Sequence, residues 1–373
     1  MNVETKILQL NLNKNPIALD SGAQLDSIQI AYQTYGKLNS QRDNVILVCH
    51  ALTGNAHAAG ILSGIEYNPN SNPDLLHQYS VLYKGKTGWW DKLIGEGKVF
   101  DTNKYFIICP NILGSCYGTT GATSKNSNKV FKMNFPEVTV RDMVKVQKLL
   151  IDELGIKKIL AAVGGSLGGM QVFEWALTFP DMIESIIPIA APVQHSPWAI
   201  ALNRLSREAI MTDPEWNSGN YDSQPIVGLS LARKIAMISY RSYNSFQQRF
   251  SRNKTHKKDK FLVESFLDHH AEKLLERFDA NTYLYLSKAM DNFDLASGRG
   301  NIQEVLKTIK QKVLIIGISS DILYPTEELK EYIKYIPNAE YDEIKSIHGH
   351  DAFLIEFEQL QKIIGQFLAK HFS

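Results

Sequence analysis

Four glycines surround Ser166 in the stretch GGSLGGMQ (residues 164–171), and their spacing limits the chemistry open to the serine. A phosphate-binding loop would carry a lysine after its glycines, and a dinucleotide-binding loop would read GxGxxG; this stretch has neither. It does contain GxSxG, directly after an apolar run and before a helical pattern, which is typical of a nucleophile elbow. We therefore predict that Ser166 is a nucleophile on a strained turn, with a purely structural turn as the alternative.

A serine nucleophile needs a base and an acid that orients the base, and in elbow-type enzymes they follow in the order serine, acid, histidine. Asp321 lies three residues after the apolar run KVLIIGI, and His350 lies in the stretch IHGHDAF. His348 is a competing base, but the residues after His350 return to an apolar pattern that would anchor its position. The sequence thus predicts a triad of Ser166, Asp321 and His350.

The tetrahedral intermediate of such a reaction needs an oxyanion hole made of two main-chain N–H groups. One donor is expected from the residue after the nucleophile, which is Leu167. The second is expected from the loop after an early strand, and Leu52 in LVCHALTGNAH (47–57) is the candidate. The alternative for this loop is a plain connection between a strand and a helix.

Short apolar runs, with helical patterns between several of them, must position these side chains. Such runs are typical of strands buried on both faces of a parallel sheet. They occupy residues 44–50, 105–111, 158–164, 185–191 and 312–318. An alternating stretch at 27–36 predicts a further strand, and two helical patterns end at Gly155 and Pro180. We predict an α/β fold with a mostly parallel central sheet flanked by helices.

The alternation stops between about residues 193 and 305, where helical patterns at 196–211, 227–242 and 273–290 follow one another without a clear strand. A helical block that interrupts an α/β pattern indicates an inserted cap, or lid, over the carboxyl end of the sheet. We therefore predict a core domain formed by residues 1–192 and 306–373, and a helical cap domain formed by 193–305.

The composition excludes several classes of partner. The 373 residues have a formal net charge of +1, which predicts no nucleic-acid or membrane surface. The longest apolar runs fall short of the 18 or more residues that a membrane span needs. Three cysteines without CxxC spacing indicate neither a disulfide framework nor a metal site, and the expected location is the cytoplasm.

Seven longer stretches carry a family resemblance. They are HALTGNAHAAG (50–60), GWWDKLIGEGKVFDTNKYFIICPNILGSCYGTTGATS (88–124), FPEVTVRDMV (135–144), GGSLGGMQVFEWA (164–176), LARKIAMISYRS (231–242), RFDANTYLYLSKAMDNFDL (277–295) and HGHDAFLIE (348–356). The chain resembles the homoserine O-acetyltransferases of methionine biosynthesis, within the α/β-hydrolase superfamily, from about residue 25 to 360. Leu167 departs from the more usual methionine, and Ser115 and Ala122 depart from a glycine and a proline.

The resemblance implies transfer of an acetyl group from acetyl-CoA to the hydroxyl of L-homoserine, through the triad already predicted. It implies a homodimer built through the helical cap, with acetyl-CoA as a co-substrate and no metal or other cofactor. The mechanism that follows is ping-pong, with an acyl-serine intermediate. The alternatives are a sister O-acyltransferase (homoserine O-succinyltransferase or serine O-acetyltransferase), an esterase, and a binding scaffold with an inactive triad.

The resemblance also places substrate-binding roles on Arg233, Tyr240 and Asp351. Arg233 and Tyr240 are seven residues apart, so they share one face of a helix. Residues 229–239 are apolar on nearly all sides, which predicts a buried helix in which an arginine needs a partner. That partner is a substrate carboxylate or, as the alternative, an internal acid. Asp351 is expected to take a substrate ammonium, with a loop cap as its alternative.

Overall fold

The computed structural model describes residues 1–65, 75–126, 129–256 and 259–372. The strands are β1 (Asn2–Asn11), β2 (Ile17–Ala18), β3 (Gln24–Leu25), β4 (Ser27–Tyr35), β5 (Val45–Cys49), β6 (Ile61–Ile65), β7 (Phe106–Pro110), β8 (Lys125–Asn126), β9 (Lys129–Val130), β10 (Ile159–Gly165), β11 (Ser185–Ile189), β12 (Lys312–Ile318) and β13 (Ala339–Ile344). Nine of them form one sheet in the order β13-β12-β11-β10-β5-β7-β4-β1-β6, and the remaining four form two hairpins, β2 with β3 and β8 with β9.

The α-helices are α1 (Leu75–Tyr83), α2 (Val140–Glu153), α3 (Leu167–Thr178), α4 (Pro197–Met211), α5 (Ile226–Ser239), α6 (Tyr243–Phe250), α7 (Leu262–Leu275), α8 (Ala280–Asp291), α9 (Ile302–Lys307), α10 (Thr326–Ile333) and α11 (Phe357–Phe372). Short 3₁₀ helices span Lys132–Asn134, Pro180–Met182, Pro214–Gly219 and Gly349–Leu354. None of the helices in the described residues is both long enough and apolar enough to cross a membrane.

In this order, every pairing from β13 to β7 is parallel. The pairings of β7 with β4 and of β4 with β1 are antiparallel, and that of β1 with β6 is parallel. The apolar run of β5 shows why these strands are buried on both faces. Val45, Leu47 and Cys49 pack in one core with α2 and α3. Ile46 and Val48 pack in a second core with α11 on the opposite face. The predicted α/β fold with a mostly parallel sheet flanked by helices is confirmed.

Parallel pairing brings the carboxyl ends of β5, β10 and β12 to the same edge of the sheet. Leu52 follows β5 by three residues, Ser166 follows β10 directly, and Asp321 follows β12 by three residues. His350 lies in the 3₁₀ helix after β13, which pairs with β12. The four positions therefore meet at one edge because of the strand order.

In the described part of residues 193–305, helices α4 to α8 and most of α9 are present and no named strand occurs. The third helical pattern of this segment is two helices, since α7 ends at Leu275 and α8 begins at Ala280. Asp279 starts α8 by accepting the main-chain N–H of Thr282 with its side chain. The division of the chain into a core and a cap domain stays a prediction.

The expectation of a helix buried on nearly all sides at residues 229–239 is wrong in part. Leu229, Ala232 and Ala236 of α5 are buried, but Leu231 and Ile238 are 48% and 54% exposed. These two exposed residues are seven apart and share one stripe of the helix. Apolar composition alone could not distinguish a buried helix from one that presents an apolar stripe to solvent.

Candidate active site

Ser166 occupies the corner between β10 and α3 with a backbone conformation that few side chains adopt. Its φ and ψ angles are 59° and −127°, outside the favoured regions for a residue with a Cβ atom. Its N–H donates to the carbonyl of Ile189 at 2.9 Å, which ties the corner to β11. A strained serine between a strand and a helix is the geometry that the GxSxG pattern predicts, and the side chain is only 6% exposed.

Two glycines allow α3 to start so close to the sheet. A Cβ atom on Gly168 would lie 2.2 Å from the carbonyl oxygen of Cys49, and one on Gly164 would lie 2.6 Å from the same atom. Any side chain at either position would push α3 away from the end of β5. The glycines of the elbow are therefore required by packing as well as by the turn.

Asp321 and His350 form a buried pair. His350 Nδ1 lies 2.7 Å from Asp321 Oδ2, and both side chains are almost completely buried. Asp321 Oδ1 accepts the main-chain N–H groups of Leu323 and Tyr324 at 2.8 and 3.1 Å, so the carboxylate is held on both oxygens. His350 Nε2 is buried and makes no hydrogen bond within the described residues, and His350 and Ser166 line the same cavity.

The pKa of His350 is raised above its ordinary value of 6.5 by the balance of opposing effects. Burial lowers the pKa, but the charge of Asp321, its hydrogen bond to Nδ1 and the charge of Asp351 together outweigh burial. The competing base, His348, precedes the 3₁₀ helix and is absent from the residues that line the Ser166 cavity. His350, and not His348, therefore lies on the cavity that Ser166 also lines.

The two predicted oxyanion donors flank the serine. Leu52 lines the cavity together with Ser166, and Leu167 is the first residue of α3. Neither main-chain N–H donates a hydrogen bond to any acceptor in the described part of the chain. Both N–H groups are therefore unpaired within the described residues. Leu167 does not itself line the cavity, but its N–H lies at a helix N-terminus, which favours negative charge.

The cavity at this edge of the sheet has a volume of about 420 Å³ and is lined by residues of the core and of the helical segment. Arg233 of α5 lines it, and its guanidinium has no carboxylate within ion-pair distance among the described residues. Its Nε is buried without a hydrogen-bond partner, and its charge lies 5.8 Å from the centre of the Tyr240 ring. The internal salt bridge that the sequence left open is not formed.

Tyr240 and Asp351 lie on the same wall as His350. The ring of Tyr240 is centred 5.6 Å from that of His350, and its carbonyl accepts the N–H of Asp351 at 3.2 Å. Asp351 Oδ2 is paired with Arg241 at 3.1 Å, a contact that the sequence did not predict. Its Oδ1 accepts no hydrogen bond in the described chain, so one oxygen stays available.

Sequence reasoning missed three basic side chains of the cavity: Arg241, His270 and Arg277. Arg277 donates to the carbonyl of Thr53 at 2.7 Å and to the hydroxyl of Tyr117 at 2.6 Å. Burial, together with the charges of Arg233 and Arg241, lowers the pKa of His270 to about 4. The family-like stretch RFDANTYLYLSKAMDNFDL contained Arg277 as its first residue, which is the one signal that pointed to it.

Comparisons with known proteins agree with this geometry. A profile of the alpha/beta hydrolase fold matches residues 44–357. The homoserine O-acetyltransferase of Carboxydothermus hydrogenoformans is 47% identical over 368 residues, covering 94% of this chain and 92% of that protein. The crystal structure of a homoserine O-acetyltransferase from Bacillus anthracis has a TM-score of 0.85 at 30% identity, covering 99% of this chain and 98% of that one. Esterase E22 has a TM-score of 0.84 at 27% identity, covering 98% and 100%.

The fold and the corner serine define an α/β-hydrolase-fold protein. Within that class, the identity of 47% over most of both chains is decisive, because it extends well beyond the elbow. The chain belongs to the homoserine O-acetyltransferase family, as its sequence motifs predicted.

If His350 is the base, acylation of the enzyme by p-nitrophenyl acetate should fall on acidification with a midpoint above pH 6.5, because the base must be neutral. Asp351→Asn removes one of the charges that raise this pKa, so its midpoint should lie at lower pH. The measurement is the pH dependence of the nitrophenolate burst rate. His348→Ala is the matched control and should leave the midpoint unchanged; a midpoint that moves with His348→Ala but not with Asp351→Asn would contradict the assignment.

Proposed function

We propose that the enzyme transfers an acetyl group from acetyl-CoA to the hydroxyl of L-homoserine, giving O-acetyl-L-homoserine and CoA for methionine biosynthesis. The observation that carries the proposal is a buried guanidinium without an acidic partner, Arg233, in the same cavity as the elbow serine. A buried cation of this kind favours a substrate carboxylate. The names of relatives at 47% and 48% identity support the same acceptor and acyl group.

In the first half-reaction, His350 Nε2 takes the proton of the Ser166 hydroxyl as its oxygen attacks the thioester carbon. Asp321 holds the imidazole through Nδ1, so that Nε2 is the nitrogen that accepts the proton, and it stabilises the imidazolium. The N–H groups of Leu52 and Leu167 stabilise the oxyanion. The C–S bond then breaks, the CoA thiolate takes the proton from His350, and an acetyl-serine remains.

In the second half-reaction, homoserine binds with its carboxylate on Arg233 and its ammonium on the available oxygen of Asp351. His350 takes the proton of the homoserine hydroxyl, whose oxygen attacks the acetyl carbon. The bond to Ser166 breaks, and the serine oxygen recovers the proton from His350. The Tyr240 ring lies 5.8 Å from the Arg233 guanidinium and 5.6 Å from the His350 ring, so it would border the acceptor. The proposed reaction calls on no metal or other cofactor, and a cytoplasmic location is part of the proposal.

We also propose that the enzyme is a homodimer that pairs through the helical segment. Helices α4 and α5 pack on each other, and each presents large apolar side chains to solvent. On α4 these are Trp198 and Leu205, seven residues apart; on α5 they are Ile226, Val227, Leu231 and Ile238. Stripes of this size and spacing on neighbouring helices favour burial against a second copy of the same surface.

Leu231→Glu should convert the dimer to a monomer, because it places a charge in the middle of the apolar stripe of α5. The measurement is the molar mass by sedimentation or light scattering, with the parent at twice the chain mass of 42.1 kDa. Val81→Glu is the control, since Val81 is 66% exposed on α1, outside the helical segment. A parent monomer, or a Leu231→Glu variant that remains dimeric, would refute this interface.

The two half-reactions can be separated by following free thiol after rapid mixing with acetyl-CoA. Without homoserine, the parent should release about one CoA per site and then slow. Arg233→Ala should keep this burst, but its deacylation by homoserine should be about 10- to 150-fold slower, because a charge-assisted contact of roughly 1.5–3 kcal/mol is lost. Arg233→Lys should recover only part of the rate, since an ammonium cannot replace the planar fork.

Arg204→Ala serves as a control, because Arg204 is an exposed arginine on α4 that pairs with Glu208. Sustained thiol release by the parent without homoserine would indicate an esterase, and no release would indicate a binding scaffold. A preference for succinyl-CoA or for serine would indicate a sister transferase. Loss of the burst in a folded Arg233→Ala variant would place Arg233 at the donor instead of the acceptor.

A further inference from the structure

Gln171 of α3 is completely buried and bridges the two main-chain segments that carry the oxyanion donors. Its Nε2 donates to the carbonyl of His50 at 3.1 Å and to the carbonyl of Leu167 at 3.0 Å. His50 opens the loop that contains Leu52, and Leu167 is itself the second donor. A single side-chain amide therefore holds the two segments at a fixed separation.

The orientation of this amide is determined by two further buried side chains. The indole N–H of Trp175 donates to Gln147 Oε1 at 2.7 Å, and Gln147 Nε2 donates to Gln171 Oε1 at 2.7 Å. An indole can only donate, so it fixes which end of Gln147 is the oxygen, and Gln147 in turn fixes Gln171. The NH₂ group of Gln171 is thereby directed at the two carbonyls, with one proton for each.

The loop that contains Leu52 is also held by the ring of His50, which is fully buried. The N–H of Ile112 donates to His50 Nε2 at 3.3 Å, so Nε2 is unprotonated and Nδ1 carries the proton. Nδ1 donates to the carbonyl of Ala51 at 2.9 Å, which also accepts the N–H of Gly54 at 2.9 Å. In a trans peptide the N–H points opposite to the C=O, so these bonds fix the direction of the Leu52 N–H.

Burial lowers the pKa of His50 to about 4, so the ring stays neutral and keeps this tautomer under ordinary conditions. The close approach at Gly168 brings α3 near enough for the contact, since a Cβ there would lie 2.2 Å from the Cys49 carbonyl and 3.3 Å from the His50 carbonyl. Gly168, His50 and Gln171 thus all constrain the short stretch of main chain that runs from Cys49 to Leu52.

We propose that Gln171 is a positioning residue that sets the separation of the Leu52 and Leu167 N–H groups. The inference rests on the proposed acyl transfer, in which those two groups hold the oxyanion. Donors must lie within about 2.7–3.1 Å of the developing charge, and a misplacement of about 1 Å costs on the order of 100-fold in rate. Gln147 and Trp175 act through Gln171 by orienting its amide.

The test compares two substitutions that each remove two side-chain hydrogen bonds to main-chain carbonyls. Gln171→Met keeps the shape of the side chain and loses both donors. Gln311→Met is the matched control, because Gln311 is also buried and donates to two main-chain carbonyls, those of Ala176 and Pro180, at the far end of α3. Both variants should lose thermal stability, and Gln171→Met should lose more, because it also leaves Gln147 Nε2 without its acceptor. Acylation is measured with p-nitrophenyl acetate, so the result does not depend on the acceptor.

Gln171→Met should lower kcat for acylation by about 10- to 100-fold, with KM changed by no more than about threefold. Binding of a trifluoromethyl ketone inhibitor should weaken by a similar factor, because kcat and inhibitor binding both depend on stabilisation of the oxyanion. Gln311→Met should change none of these values. Equal loss of kcat in both variants, or an unchanged kcat in Gln171→Met, would overturn the positioning role. Failure of acetyl transfer to homoserine by the parent would instead overturn the proposed function.

If Gln171→Met does not fold, Trp175→Phe decides the question, because it keeps an aromatic ring and removes only the N–H that orients Gln147. It should lower kcat by about 3- to 10-fold with KM unchanged. A folded Trp175→Phe variant with the kcat of the parent would overturn the proposal.

Discussion

The contact between the first turn of α3 and the carboxyl end of β5 is the constraint on which the rest of the site depends. Gly164 and Gly168 both lie where a Cβ atom would collide with the Cys49 carbonyl. Because nothing larger fits, α3 begins directly at the sheet, and Ser166 must turn the corner with a positive φ. The same approach sets the N–H of Leu167 beside the serine and brings the Gln171 amide within reach of the His50 carbonyl.

Charge in the cavity is unbalanced, and this imbalance defines what the site can bind. Arg233 and Arg277 have no carboxylate partner among the described residues, whereas Arg241 is paired with Asp351. An acceptor with a carboxylate would compensate one unpaired cation, and its ammonium would meet Asp351, the carboxylate that lines the cavity within the described residues. Arg277 also holds the Thr53 carbonyl, so the helical segment contacts the loop that carries Leu52. The helical segment therefore supports both the proposed acceptor site and the loop of the proposed oxyanion donor Leu52.

Six of the nine strands of the main sheet and the turn at Ser166 could be predicted from sequence because local pattern determines them, whereas the catalytic roles of Ser166, Asp321 and His350 stay predictions. Buried parallel strands are continuous apolar runs, and KVLIIGI became β12 without a change of boundary. Long-range contacts could not be predicted in this way: the pairing of Arg241 with Asp351 joins residues far apart in the chain, and nothing local marks it. The exposed stripe of α5 was missed for a similar reason, since Leu231 and Ile238 differ from the buried leucines only in which side of the helix meets a neighbour.

We propose that Ser166 carries the acetyl group between the two substrates. Mass spectrometry of the enzyme quenched in acid after mixing with acetyl-CoA tests it directly. We expect one acetyl group per chain, located on the peptide that contains Ser166, and its disappearance within one turnover after homoserine is added. An enzyme that makes O-acetylhomoserine at the normal rate but never carries acetyl on Ser166 would rule out the acyl-serine, because transfer would then be direct from CoA to the acceptor.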